Sequence, residues 1–196
     1  MMAIENNTDR IAGCQFNLSV MSDDFSDVIL SALAEVDTSK VWKDTDDVST
    51  CVRGRMTHVF DVVKAVYLQA AKTGKHVEMS GTFSIGCPGD SSGHAYMDVT
   101  DDRLNVVDSS EISQAAGCKF ALYPMNTDNY MEKINEQIDL SKERGVTVSP
   151  THYATRLDGE VNDIFRAIET AFTKVQAVVS HTTMTFTISA NSPSNR

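Results

Sequence analysis

Two threonines, Thr50 and Thr155, stand 105 positions apart, and each sits between apolar residues at alternate positions: Val48 and Val52 flank the first, Tyr153 and Leu157 the second. Alternation of this kind marks strands, and it sets each hydroxyl on the same face as its apolar flankers, toward a layer of helices. A hydroxyl there needs a partner, because leaving it unpaired costs about 1–3 kcal/mol. Two outcomes satisfy it. Either a neighbouring backbone carbonyl accepts its proton, or a small pocket lies between strand and helices, once in each half of the chain, where the hydroxyl orients a heteroaromatic ligand. Leu18 and Leu122, inward on the first strand of each half, would form the adjacent walls.

Other residue types that could do chemistry do not assemble into a site. His76 and His181 occupy equivalent positions at the start of two strands, with no histidine or carboxylate at metal-ligand spacing, and read as strand-edge residues. His58 falls in the first turn of a helix and its counterpart is Asp163, so the halves share no catalytic histidine. No GxSxG, HExxH, P-loop or GxGxxG motif is present, and Gly86-Cys-Pro-Gly-Asp90 reads as a turn. Nor does the sequence offer a Gly-rich amide nest or a Lys/Arg cluster for a phosphate. The four cysteines, Cys14, Cys51, Cys87 and Cys118, lack CxxC spacing and read as small buried thiols in a reducing cytosol. No catalytic residue, metal ligand or catalytic cofactor is therefore assigned. An acidic run, Asp44, Asp46 and Asp47, would be the only candidate for acid/base work.

The elements that must position the threonines come from an internal repeat. His76, Met79, Thr82, Ser84 and Pro88 return as His181, Met184, Thr187, Ser189 and Pro193, all at an offset of 105. A fixed-period echo of this length marks two copies of one module. In the first copy a strand over 11–21 buries Cys14, Phe16, Leu18 and Val20. Ser22 then caps a helix over 23–36, whose apolar face is Phe25, Val28, Ile29, Ala32, Leu33 and Val36. Strands near 40–45 and 48–54 follow, turned by Asp44–Asp47. Thr57 caps a second helix to about 73, with Val59, Phe60, Val63, Val66, Tyr67 and Ala70 inward, and a strand opens at His76. Ala116–Met125 echoes Ala12–Met21, and Asn162 is the cap that corresponds to Thr57. Lys133, Gln137 and Ser141 replace Val28, Ala32 and Val36, which predicts a less buried helix or one facing a polar cavity.

The domain plan is a loose terminus over 1–10, a βαββαβ repeat over 11–88, a linker over 89–115 made of turns and solvated loop, and a second βαββαβ repeat over 116–193. The fold class is α+β: two four-stranded antiparallel sheets, each with its helices on one face. The opposite faces carry Ser80, Thr82, Ser84, Thr183, Thr185, Thr187 and Ser189, without the charges of a solvated face. They are expected to be covered, by the other copy or by a second chain. With a net charge of −10, the chain is a poor partner for nucleic acid or anionic lipid. No run is long and apolar enough to span a membrane, and the N-terminus does not read as a signal peptide.

Four segments together, Thr38-Ser-Lys-Val-Trp42, Phe83-Ser-Ile-Gly-Cys-Pro-Gly-Asp90, Phe120-Ala-Leu-Tyr-Pro-Met-Asn126 and Ser189-Ala-Asn-Ser-Pro193, resemble the YkoF family of thiamin- and hydroxymethylpyrimidine (HMP)-binding proteins, over about residues 9–194. The resemblance implies a tandem ferredoxin-like (ACT-like) protein, cytoplasmic and homodimeric. It implies non-enzymatic binding of thiamin through its pyrimidine part in both repeats, with thiamin as ligand rather than cofactor. A functional link to uptake or salvage, through an HMP/thiamin transporter, is implied as well. Thr50, Thr155, Leu18 and Leu122 match the strand-three threonine and strand-one neighbour of the family's repeats. Ser19-Val20 against Tyr123-Pro124 leads us to expect unequal sites. The rival readings are a regulatory module of the same topology that senses an amino acid or other small metabolite, and a salvage enzyme built on the acidic run.

Overall fold

The computed structural model describes residues 10–86, 96–125 and 145–194. The elements are β1 (Ala12–Val20), α1 (Phe25–Ala34), β2 (Val41–Thr45), β3 (Thr50–Gly54), α2 (Met56–Ala71), β4 (Val77–Ile85), α3 (Val106–Glu111), β5 (Ala115–Met125), β6 (Thr147–Thr151), β7 (Ala154–Glu160), α4 (Val161–Gln176) and β8 (His181–Ala190). The calls on Lys133, Gln137, Ser141 and Cys87 lie outside the described residues.

All pairings are antiparallel, and the strand order is β2-β3-β1-β4-β8-β5-β7-β6. Each repeat contributes four strands in the ferredoxin-like order, with its first and third strands inside. The two expected sheets are the halves of one continuous eight-stranded sheet, because β4 and β8 pair along their whole length. The physical reason is backbone satisfaction: each would otherwise be an edge with a row of unpaired amides and carbonyls, and joining them removes both edges. The hydroxyl faces of β4 and β8 therefore lie side by side on one surface. One repeat does not cover the other, which corrects that half of the expectation. Across the seam, Ser80 and Thr187 hydroxyls lie 2.8 Å apart, and His76 Nε2 lies 3.1 Å from Ser189 Oγ. His181 Nε2 lies 3.4 Å from the Ser84 hydroxyl, the counterpart contact, so both histidines pin the seam.

Helices α2 and α4 pack against the other face and against each other. A shared aromatic core results: Phe60 of α2 stacks on Phe83 of β4 with centroids 4.0 Å apart, and Phe83 meets Phe186 of β8 at 5.1 Å. Phe172 of α4 tilts against Phe60 at 5.8 Å. The inward set expected for α2 is buried, and so is most of the rest of that helix, because α1, α3 and α4 surround it.

Local corrections concern helix starts, hairpin tips and the linker. The N-caps are Asp24, Arg55 and Glu160, none with a side-chain cap bond, rather than Ser22, Thr57 and Asn162. Arg55 and Glu160 are extended because β3 and β7 run straight into their helices. Asn162 instead donates to the Ser109 carbonyl at 3.0 Å, and Ser22 bonds Asp24. Val48 and Tyr153 do not point toward the helices: they sit at the β2–β3 and β6–β7 tips, 73% and 99% exposed. There the chain reverses and alternation no longer sets the face; Tyr153 adopts φ 66°. The described end of the linker is not solvated loop. Asp61 of α2 is 1% exposed, and its Oδ2 accepts from Leu104 N, Asn105 N and Asn105 Nδ2 at 3.2, 3.0 and 2.9 Å. His58 Nε2 lies 2.8 Å from the Thr100 carbonyl, a structural bond. Arg10 is likewise tied down, with one guanidinium nitrogen donating to Gln176 O and Oε1 at 3.1 and 3.0 Å.

Candidate functional site

In the first repeat, β1, α1, α2 and the β2–β3 turn enclose a cavity of about 220 Å³. Phe16, Leu18, Ile29, Leu33 and Val66 supply apolar walls, and Thr45, Asp46, Asp47, Val48, Ser49 and Thr50 close the remaining side. Leu18 and Thr50 are thus brought to one space between sheet and helices. Thr50, 7% exposed, is the first residue of β3 and lies opposite Phe16 on one side and Thr45 on the other. Its hydroxyl is 3.1 Å from that of Thr45, so its partner is a side chain rather than the backbone carbonyl considered from sequence. Sequence reasoning missed Thr45; the signal was its place five residues before Thr50, across the hairpin.

Acidic groups line the mouth. Asp46 Oδ1 accepts from the amides of Val48 and Ser49, both at 2.8 Å, which fixes the turn. These backbone bonds hold the Asp46 carboxyl below the usual carboxylate range, so it stays ionised near neutral pH and is unsuited to general acid catalysis. Among the described residues no group of three or more His, Cys, Asp or Glu side chains could hold a metal. The thiols read as buried in the sequence are so for Cys14 and Cys118, and burial pushes both up, Cys118 to about 12.

The second repeat presents the same sheet wall with different substituents. Thr155 lies opposite Phe120, as Thr50 lies opposite Phe16, and Leu122 is buried on β5 opposite Met184. The residue across the hairpin from Thr155 is Pro150, which has no hydroxyl to share. At the positions of Asp46 and Asp47 the second hairpin carries Thr151 and His152. The facing segment, 126–144, lies outside the described residues, so only the sheet side of this site is given.

One basic cluster was also missed. The fold gathers Lys64, Arg103 and Arg166 around a second cavity, formed by α2, α3 and α4 with the end of the linker. No two of these residues are close in sequence, so no local pattern could have revealed it. Lys64 lies two positions from Val66, on the opposite side of α2 from the Thr50 cavity.

Fold and cavity together define a tandem βαββαβ protein with a ring-sized internal pocket. The YKOF-related family model matches residues 11–90 and 115–195, both repeats, and the chain belongs to that family. It is 49% identical over 189 residues, 96% of this chain and 94% of the other, to a Bacillus subtilis (strain 168) protein named "Putative HMP/thiamine-binding protein YkoF". Among solved structures, the hypothetical protein MJ1052 from Methanocaldococcus jannascii matches 38% of this chain and 78% of its own, with TM-score 0.36 and 17% identity. A domain of unknown function, DUF77, from Bacillus cereus matches 39% of this chain and 75% of its own, with TM-score 0.35 and 20% identity.

Proposed function

We propose that the chain binds thiamin through its hydroxymethylpyrimidine ring, one ligand in each repeat, as a non-catalytic cytoplasmic carrier in the uptake or salvage of that ring. The observation that carries the reading is the Leu18–Thr50 cavity. At about 220 Å³ it falls below the roughly 300–1,000 Å³ that encloses a drug-sized ligand, and so suits one ring with the rest of the molecule outside. The Thr45–Thr50 hydroxyl pair can both donate and accept, which matches an aminopyrimidine edge. Asp46 and Asp47 at the mouth favour the thiazolium cation, and would oppose the added phosphates of thiamin diphosphate. The name of the Bacillus subtilis relative supports the same ligand.

The assembly belongs to this proposal: a homodimer that covers the hydroxyl face of the sheet, handing its ligand to a transporter of HMP or thiamin. Ser80, Thr82, Thr183 and Thr187 leave that face half-buried and uncharged, as a covered surface requires. Solution scattering at micromolar concentration is expected to give a dimer, and Thr82→Lys with Thr187→Lys to break it. A monomer in the unsubstituted protein overturns the assembly.

Calorimetry with thiamin, the free pyrimidine, thiamin diphosphate and a panel of amino acids tests the ligand. Two sites per chain of unequal affinity are expected, with thiamin ahead of its diphosphate. An amino acid that binds more tightly overturns the proposal in favour of a metabolite sensor, and altered thiamin after prolonged incubation overturns its non-catalytic part.

A further inference from the structure

The second cavity has about 530 Å³, within the range of small-molecule sites, and none of its lining belongs to the thiamin reading. Phe60 and Phe165 give it an apolar floor, while Lys64, Arg103 and Arg166 bring three cations to its wall against one lining carboxylate, Glu169. In a chain of net charge −10 this is a local reversal of sign. The neighbouring carboxylates are already engaged. Arg103 and Glu169 pair through one guanidinium nitrogen and one oxygen. Arg166 pairs through one nitrogen with Asp163 on the next turn. Asp61, behind Lys64, turns its Oδ2 to the linker amides. Two guanidinium forks therefore keep N–H donors to spare, and among the described residues Lys64 Nζ has no hydrogen bond or ion pair.

The site is also partly dry. Burial pushes the Lys64 ammonium below the usual lysine value; Asp61 and Glu169 oppose this, and Arg103 and Arg166 add to it. Burial lifts the Glu169 carboxyl above its usual value despite Arg103. A cationic wall held away from water gains most from an anion that supplies the missing charge.

We propose that this cavity binds a small organic oxyanion, a phosphomonoester or carboxylate with a flat apolar body, its head held by Lys64, Arg103 and Arg166 and its body laid on Phe60 and Phe165. The cavity is far larger than an inorganic ion requires, which is why the apolar floor enters the assignment.

Phenyl phosphate and phenylacetate are the probes, titrated calorimetrically into the full chain against sodium chloride of matched ionic strength. Binding is expected for at least one, and the tighter of the two identifies the head group. Lys64→Gln and Arg166→Gln should each weaken it roughly tenfold, as loss of a charge-assisted hydrogen bond does. Lys174→Gln removes the same charge elsewhere on α4 and should leave it unchanged. Arg166 is largely solvent-facing, so its substitution tests the site without threatening the fold. No heat from either probe at millimolar concentration overturns the proposal. So does binding that chloride suppresses equally in all variants, or that survives both glutamine substitutions.

Discussion

Gly81 of β4 and Phe186 of β8 are direct partners across the central seam, and they are also equivalent positions of the two repeats. The local two-fold that relates the repeats therefore passes between them. The pair belongs to one transverse row, Thr50–Phe16–Gly81–Phe186–Phe120–Thr155, that ends on the two candidate hydroxyls. A Cβ on Gly81 would meet Phe186 Cε1 at 2.8 Å, Gln15 O at 2.9 Å and Phe16 Cβ at 2.9 Å. Gly81→Ala is expected to lower stability by about 1–3 kcal/mol through overpacking. Chemical denaturation measures it; an unchanged midpoint would show that the seam can open to admit a methyl group.

The hydroxyls themselves are tested by near-isosteric removal. Thr50→Val and Thr155→Val are each expected to weaken one thiamin site by about 1–2 kcal/mol and spare the fold. Thr45→Val should affect the first site alone, since Pro150 stands across the second hairpin. Calorimetry with both sites resolved is the measurement. Full affinity in all three variants would move the ligand off the third strands.

The rims give a different readout. Asp47→Asn should weaken thiamin at the first site about two- to fivefold, as an exposed charge does, and leave the uncharged pyrimidine alone. Rising salt should have the same selective effect. Equal losses for both ligands would show that Asp47 shapes the turn rather than attracting the cation.

The buried thiols predict an alkaline limit. An exposed cysteine loses its proton near 9.0, but Cys118 in the fold only at about 12. The unfolded chain thus sheds protons that the folded chain keeps. The corresponding stability is whole below pH 9 and is lost as pH climbs toward about 12. Cys14 shifts in the same direction. Peptide mapping after iodoacetamide at pH 8 should find both unmodified in the folded protein. Rapid native labelling of Cys118 would contradict its burial.

Much of this was written in short-range pattern. Strand alternation placed Leu18 and Thr50 on one face, and helical spacing picked out Val59, Phe60, Val63 and Tyr67, because both depend only on neighbours along the chain. The β4–β8 pairing did not announce itself, since alternation fixes which side of a strand is apolar but not which edge it joins. The same limit hid Lys64, Arg103 and Arg166, which meet only once α2, α4 and the linker pack. Val48 and Tyr153 misled because alternation was carried into a turn, where it has no force.

The seam carries a consequence for descent. Two separate, identical βαββαβ chains could build the same eight-stranded sheet by joining their last strands about a true two-fold axis. Such a pair must place the same residue on both sides of that axis. Two glycines would leave a gap in the aromatic layer, and two phenylalanines would compete for one space. A chain in which the module has been duplicated and joined is free of that constraint. One half can surrender its side chain so that the other may fill the centre, and Gly81 with Phe186 is the mark such a fusion leaves.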